Sequence, residues 1–233
     1  MHDEMALEIF PAATVRLVNL SWGNYLQKAF QHLKSLGKLQ RKNGTEALIQ
    51  KFKDARPSSF HHSVRVARFA RSTGRAFGFD DARLKQLSYT AVLHDVGKMF
   101  VPERVLSLPR KPTRAELFLL HLHPSFGALL ASYFNLPPEL RVRTEHHHER
   151  WDGRGYPHKL GGEDIPFMAR IVQVADTYDA MVSDPSRPYR EPRTHDEAVR
   201  ELHREEGKQF DPRVIEAFLD SFPSGLGKKV REQ

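Results

Sequence analysis

Residues 84–98 read "LKQLSYTAVLHDVGK". Leu84, Leu87 and Ala91 fall at the i+3 and i+7 steps of one helical face, and that face runs on to His94 or Asp95 and then to Lys98. An imidazole, an acid and an ammonium group therefore arrive together at the buried end of an apolar helix. A charge left unpaired there is costly, so it requires a partner or a metal ion. On this dipeptide alone a plain His-Asp pair in a core is the commoner explanation, and the later segments shift the balance toward a metal site.

The neighbouring segments carry the same helical periodicity. In "FHHSVRVARFARST", residues 60–73, His62 shares a stripe with Val66, Phe69, Ala70 and Thr73, whereas His61 shares one with Arg65, Arg68 and Ser72. His62 is thus expected to face the core. Leu140, Thr144 and His147 with His148 form another stripe, and Val172, Ala175, Asp176, Asp179 and Val182 a further one. Each of these apolar faces ends in a side chain of metal-ligand type. Periodicity does not separate His121 from His123; the residue before Pro124 is expected to leave α geometry at a helix junction, which favours His123.

From Phe60 onward the pattern is helical almost throughout, and strand-like alternation is scarce. Thr113 with Glu116 makes a capping box, and Pro124 and Pro138 suit first helical turns. The expected fold is all-α, a bundle of roughly seven to ten helices with its site built from inward-facing side chains. Residues 1–56 are set apart as an N-terminal helical extension. There Trp22, Tyr25, Leu26, Ala29, Phe30, Leu33 and Leu36 line up at helical spacing, so residues 20–40 must pack on the main domain, on a second copy as a homodimer, or on a partner. Asn43-Gly44 signals a turn, "RPSS" at 56–59 opens a main domain over 57–222, and 223–233 is a basic tail.

Composition removes several function classes. The chain has no cysteine, which excludes disulfides, thiolate zinc sites, iron–sulfur clusters and cysteine nucleophiles; any metal must bind through nitrogen and oxygen. No stretch of about 18 apolar residues is present to cross a membrane. The N-terminus is acidic where a secretory signal is basic, so a soluble, cytoplasmic chain is expected. A formal charge of +7 points to an anionic partner, although most basic side chains only solvate a surface. Nucleic acid is the weakest choice of partner, since no nucleic-acid module is recognisable. Nine of the thirteen histidines lie between His61 and His158, a clustering that a surface role does not explain.

The segments "HSVRVARFA", "LHDVGK", "HPSFG", "HHERWDGRGYP", "ARIVQVADTYDAM" and "FDPRVIEAF" occur in an order and spacing that closely resembles the HD-GYP family. That family is the branch of HD-domain metal-dependent phosphohydrolases that hydrolyses cyclic di-GMP in bacteria. The likeness covers about residues 58–218 and implies an HD-domain helical bundle. Many relatives carry a receiver or sensor domain ahead of it, and the first fifty-odd residues here are expected to be too few for one.

Carried over position by position, the resemblance implies that His62, His94, Asp95 and Asp176 bind one metal and that Asp95, His123, His147 and His148 bind a second, with Asp95 bridging. His61, His121, His146, His158, His195 and His203 fall outside the motif and are expected to be surface or supporting groups. Some members hold a third metal through a glutamate at the position of Ser58; a hydroxyl replaces a carboxylate poorly there, so two metals are expected. Histidine and carboxylate ligands suit iron, manganese, nickel or zinc, with magnesium a weaker fit to so many nitrogens. The family favours iron or manganese.

In the implied reaction a hydroxide bridging the two metals attacks the phosphodiester in line, giving pGpG and/or GMP. Lys98 would touch a phosphate oxygen or the hydroxide, and Asp179 would brace the site from one turn beyond Asp176. Gly155, Tyr156 and Pro157 belong to the family's signature loop beside the substrate. Asp152 is suited to hydrogen-bond the turn, and Gly153 and Gly155 to allow positive φ and close backbone approach. Arg187 and Arg190 match its phosphate-binding positions, with Pro185-Ser186 as a two-residue insertion before them. Two further readings remain: hydrolysis of another cyclic dinucleotide such as cyclic GMP-AMP, and a catalytically weak adaptor that binds cyclic di-GMP and contacts a diguanylate cyclase or an upstream sensor.

Overall fold

The structure is a computed structural model that describes residues 43–183 and 191–222. The chain enters through α1 (Gly44–Ala55), turns at Arg56 into α2 (Pro57–Ala76) and returns along α3 (Asp81–Leu93). A 3-10 turn over Val96–Phe100 leads to α4 (Glu103–Leu106), α5 (Arg114–His121), α6 (His123–Tyr133) and α7 (Pro138–Glu145). After a long loop come α8 (Phe167–Val182), α9 (His195–Arg204) and α10 (Pro212–Asp220). Among the described residues there is no strand, only an isolated bridge between Glu206 and Phe210, and the all-α expectation holds. No helix among them is long and apolar enough to cross a membrane.

Local chemistry sets the helix limits. Pro57 and Pro138 sit in first turns, where the missing N–H has no helical partner to lose. The Asp80 side chain caps α3 by accepting from Arg83 N at 2.7 Å. Thr113 and Glu116 form the expected capping box on α5, and Thr194 and Glu197 form a second one on α9.

Two apolar clusters build the core. One is shared by α2, α3, α8, α9 and α10 and includes Val66, Leu87, Ile171, Leu202 and Phe218; the other includes Leu48, Phe52, Phe100, Leu130 and Leu140. Each such fully buried side chain contributes about 1.5–3 kcal/mol. Helix α3 passes between them, placing Leu84, Leu87 and Ala91 in the first cluster and Leu93 in the second. His94 and Asp95 follow at this seam.

Helix α1 lies within the span set apart as an extension, yet its Leu48 and Phe52 are fully buried in the second cluster. The boundary drawn at residue 56 therefore falls between two helices of one packed body. The apolar stripe of residues 20–40 and the basic tail lie outside the described residues.

Candidate metal centre

The seam is made by close backbone approach. A Cβ on Gly97 would stand 1.9 Å from the His123 carbonyl oxygen and 2.5 Å from Gly127 N, so only glycine lets the 3-10 turn press against the start of α6. That contact sets Asp95 beside His123. Arg56 secures the same turn from outside, donating to the carbonyls of Lys98 at 3.2 Å and Val101 at 2.9 Å.

His62 on α2, His94 and Asp95 after α3, His123 at the start of α6, His147 and His148 after α7, and Asp176 on α8 converge here. The ligand atoms of His62, His94 and Asp176 lie within 4.8 Å of one another, as do those of Asp95, His123, His147 and His148. Asp95 joins the groups: Oδ1 lies 3.2 Å from His123 Nε2, and Oδ2 lies 3.4 Å from His94 Nε2 and 3.9 Å from His62 Nε2. One carboxylate thus turns an oxygen toward each group.

The imidazoles are oriented by their second nitrogens. His94, His123 and His147 each have Nδ1 on the carbonyl three residues earlier, at 2.7 Å from Ala91 O, 2.6 Å from Leu120 O and 2.6 Å from Thr144 O. If Nδ1 carries the proton, Nε2 is left as a lone pair facing the cluster. His62 is held by a carboxylate instead: its Nδ1 is 2.6 Å from Asp179 Oδ2 and its Nε2 is 2.9 Å from Asp176 Oδ1. Asp179 is fully buried and accepts from Arg65 Nε at 2.9 Å.

Ionisation favours cation binding. Burial disfavours the Asp95 anion, but the charges of Lys98 and His94 and the hydrogen bond from His123 hold its pKa well below the usual value. Asp176 is likewise held well below the usual carboxylate range, since the hydrogen bond and charge of His62 outweigh its burial. Burial, reinforced by neighbouring histidines, keeps His147 neutral and lowers His148 to about 3. The buried Nε2 of His94 has no hydrogen-bond partner and lies 3.4 Å from Asp95 Oδ2 and 3.6 Å from Asp176 Oδ1. Anionic acids, the neutral His147 and His148 and the unpartnered nitrogen of His94 fit divalent cations well.

Several placements differ from the sequence reading. His147 and His148 are not on a helix, because α7 ends at Glu145 and both occupy the turn that follows. His123 stands at the expected junction but is itself the first residue of α6, where its ring bonds to Leu120 and the backbone need not leave α geometry. Arg65, read as part of a surface stripe, grips Asp179. Lys98 does reach the site, where its Nζ pairs with Asp95 Oδ2. Ser58 is exposed in the first turn of α2, outside the metal-type clusters of the described residues. Arg187, Arg190 and the Pro185-Ser186 insertion lie outside the described residues.

The loop quoted as "DGRGYP" packs beside the cluster. Asp152 Oδ1 accepts from Arg154 N at 3.1 Å, and Gly153 has φ of 71°. Gly155 supplies the close approach, since a Cβ there would meet Arg150 N at 2.4 Å. The Tyr156 ring stacks on both His148 and His121, with centroids 4.9 and 4.1 Å away, and Tyr156-Pro157 is cis. Sequence reasoning missed Glu149, which is fully buried and accepts from His158 N at 2.7 Å and Leu160 N at 3.1 Å. Its position directly after His148 was the available signal.

A family model described as HD domain matches residues 46–214. The chain belongs to the HD-domain family, in its HD-GYP branch. Among its relatives, a protein of Thermotoga maritima named cyclic di-GMP phosphodiesterase is 36% identical over 175 residues, covering 74% of this chain and 46% of that protein. A protein of Vibrio cholerae named 3'3'-cGAMP-specific phosphodiesterase 2 is 32% identical over 161 residues, covering 68% of this chain and 30% of that protein. The chain thus spans less than half the length of these curated relatives. The solved structure of an HDG"Y"P protein from Bdellovibrio bacteriovorus superposes with a TM-score of 0.60 at 18% identity, over 81% of this chain and 67% of that one, and shows the shared fold.

Proposed function

We propose that this chain is the catalytic part of a metal-dependent phosphodiesterase that hydrolyses cyclic di-GMP to pGpG and/or GMP. The reading rests above all on one observation, that Asp95 turns one oxygen to each of two adjoining ligand groups. His62, His94, Asp95 and Asp176 are assigned to one divalent ion, and Asp95, His123, His147 and His148 to the other. Iron or manganese is the expected pair. When bound, such ions supply Lewis acidity, which activates water and neutralises phosphate charge.

The side chains have distinct tasks. Asp95 holds the two ligand groups in register. Lys98, paired with Asp95 and about one-quarter exposed, offers its ammonium to a non-bridging phosphate oxygen as negative charge accumulates. Asp179 and Arg65 keep His62 aligned. Gly155, Tyr156 and Pro157 wall the substrate side, and Arg187 and Arg190 are assigned to phosphate, where a guanidinium gives bidentate hydrogen bonds.

Turnover tests the reading directly. Anaerobically purified, iron- or manganese-loaded protein is expected to cleave cyclic di-GMP, and Asp95→Ala to abolish cleavage. Equal turnover by both proteins would refute the assignment. The Vibrio cholerae relative favours cyclic GMP-AMP as the alternative substrate, and side-by-side rates on the two dinucleotides decide between them.

A further inference from the structure

On the outer side of the His147-His148 turn, Glu145, His146 and His158 bring one ligand atom each to within 4.8 Å of one another. Glu145 ends α7, His146 follows it, and His158 comes directly after Tyr156-Pro157. None of the three belongs to the central cluster.

One of their nitrogens is buried without a partner. His158 Nε2 lies 3.1 Å from Glu145 Oε1, and the rings of His146 and His158 meet edge to face with centroids 5.0 Å apart. His146 Nδ1 is buried and has no hydrogen-bond partner. Glu149 Oε1 is 3.7 Å from it, beyond hydrogen-bond length, and already accepts the His158 backbone N–H at 2.7 Å. An imidazole with a buried orphan nitrogen thus stands beside a second imidazole and a carboxylate. The His158 side chain is 39% exposed, so an ion has an entry path and water can complete its coordination.

We propose that Glu145, His146 and His158 form an accessory site for a divalent transition metal of the zinc type, separate from the central pair. Two imidazoles, one carboxylate and an open fourth position are the donor set and geometry that zinc accepts. The ion cross-links the end of α7 to the residue that leaves the Tyr156-Pro157 segment. It thereby fixes the signature loop against the turn that carries His147 and His148. The competing account is a hydrogen-bonded cluster in which the Glu145-His158 pair is sufficient by itself.

Zinc stoichiometry separates the two accounts. Full-length protein, Glu145→Gln and His158→Ala are dialysed to equilibrium against zinc and analysed for metal and protein. Circular dichroism verifies folding; Glu145→Gln is nearly isosteric and His158 is partly exposed, so the scaffold is retained. Each variant is expected to bind one zinc fewer per chain than the wild type, whatever number the central cluster holds. Equal zinc content in wild type and both folded variants would overturn the proposal.

Discussion

Asp179 Oδ2 lies 2.6 Å from His62 Nδ1, and Arg65 Nε lies 2.9 Å from the other oxygen of the same carboxylate. A fully buried acid thus orients an imidazole whose far nitrogen faces Asp176. Supporting partners of this kind set ligand direction and basicity, and their loss typically costs about 10–100-fold in metal affinity.

Asp179→Asn keeps an acceptor for His62 but removes its charge, so metal affinity should fall within that range while the fold persists. Isothermal titration with manganese measures it. Wild-type affinity in Asp179→Asn would show that the carboxylate does not position His62.

His62 also links stability to pH in the metal-free chain. Burial opposes its cation, but hydrogen bonds to Asp176 and Asp179 and the charges of Asp176 and Asp95 prevail, raising its pKa from 6.5 to about 9. A folded pKa above the unfolded one stabilises fully below pH 6.5, and the stabilisation is lost as pH rises to about 9. Urea unfolding of EDTA-treated protein should therefore show a decline over this window, on the order of a few kcal/mol, that His62→Gln lacks. Identical pH slopes in both proteins would contradict the linkage. Metal must displace the same proton, so uptake should release it.

Tyr156 stacks on His148 and His121, so loss of its aromatic face should loosen the hold on His148. Tyr156→Phe is expected to retain several-fold more metal affinity than Tyr156→Leu, measured by competition with a chelating dye. Equal loss in both would remove the ring from the account.

Much of the fold was legible because its signals are local. Helical spacing turned His62 inward and His61 outward, and Thr113 with Glu116 marked the start of α5. Long-range partners were not legible. Arg65 shares a stripe with exposed Arg68, and only the arrival of Asp179 from α8 draws it inward. The burial of Leu48 and Phe52 depends on α1 meeting helices remote in sequence. His147 and His148 fit a helical stripe, yet they lie past the helix end, where a turn directs both toward one side.

Electron paramagnetic resonance of the manganese-loaded chain tests the central claim most directly. Two ions sharing Asp95 at about 3.5–4 Å are close enough for spin coupling. The wild type should give the broad spectrum of a coupled pair, and Asp95→Ala only the six-line signal of isolated manganese. A wild-type spectrum of isolated ions at saturating manganese would contradict the shared centre.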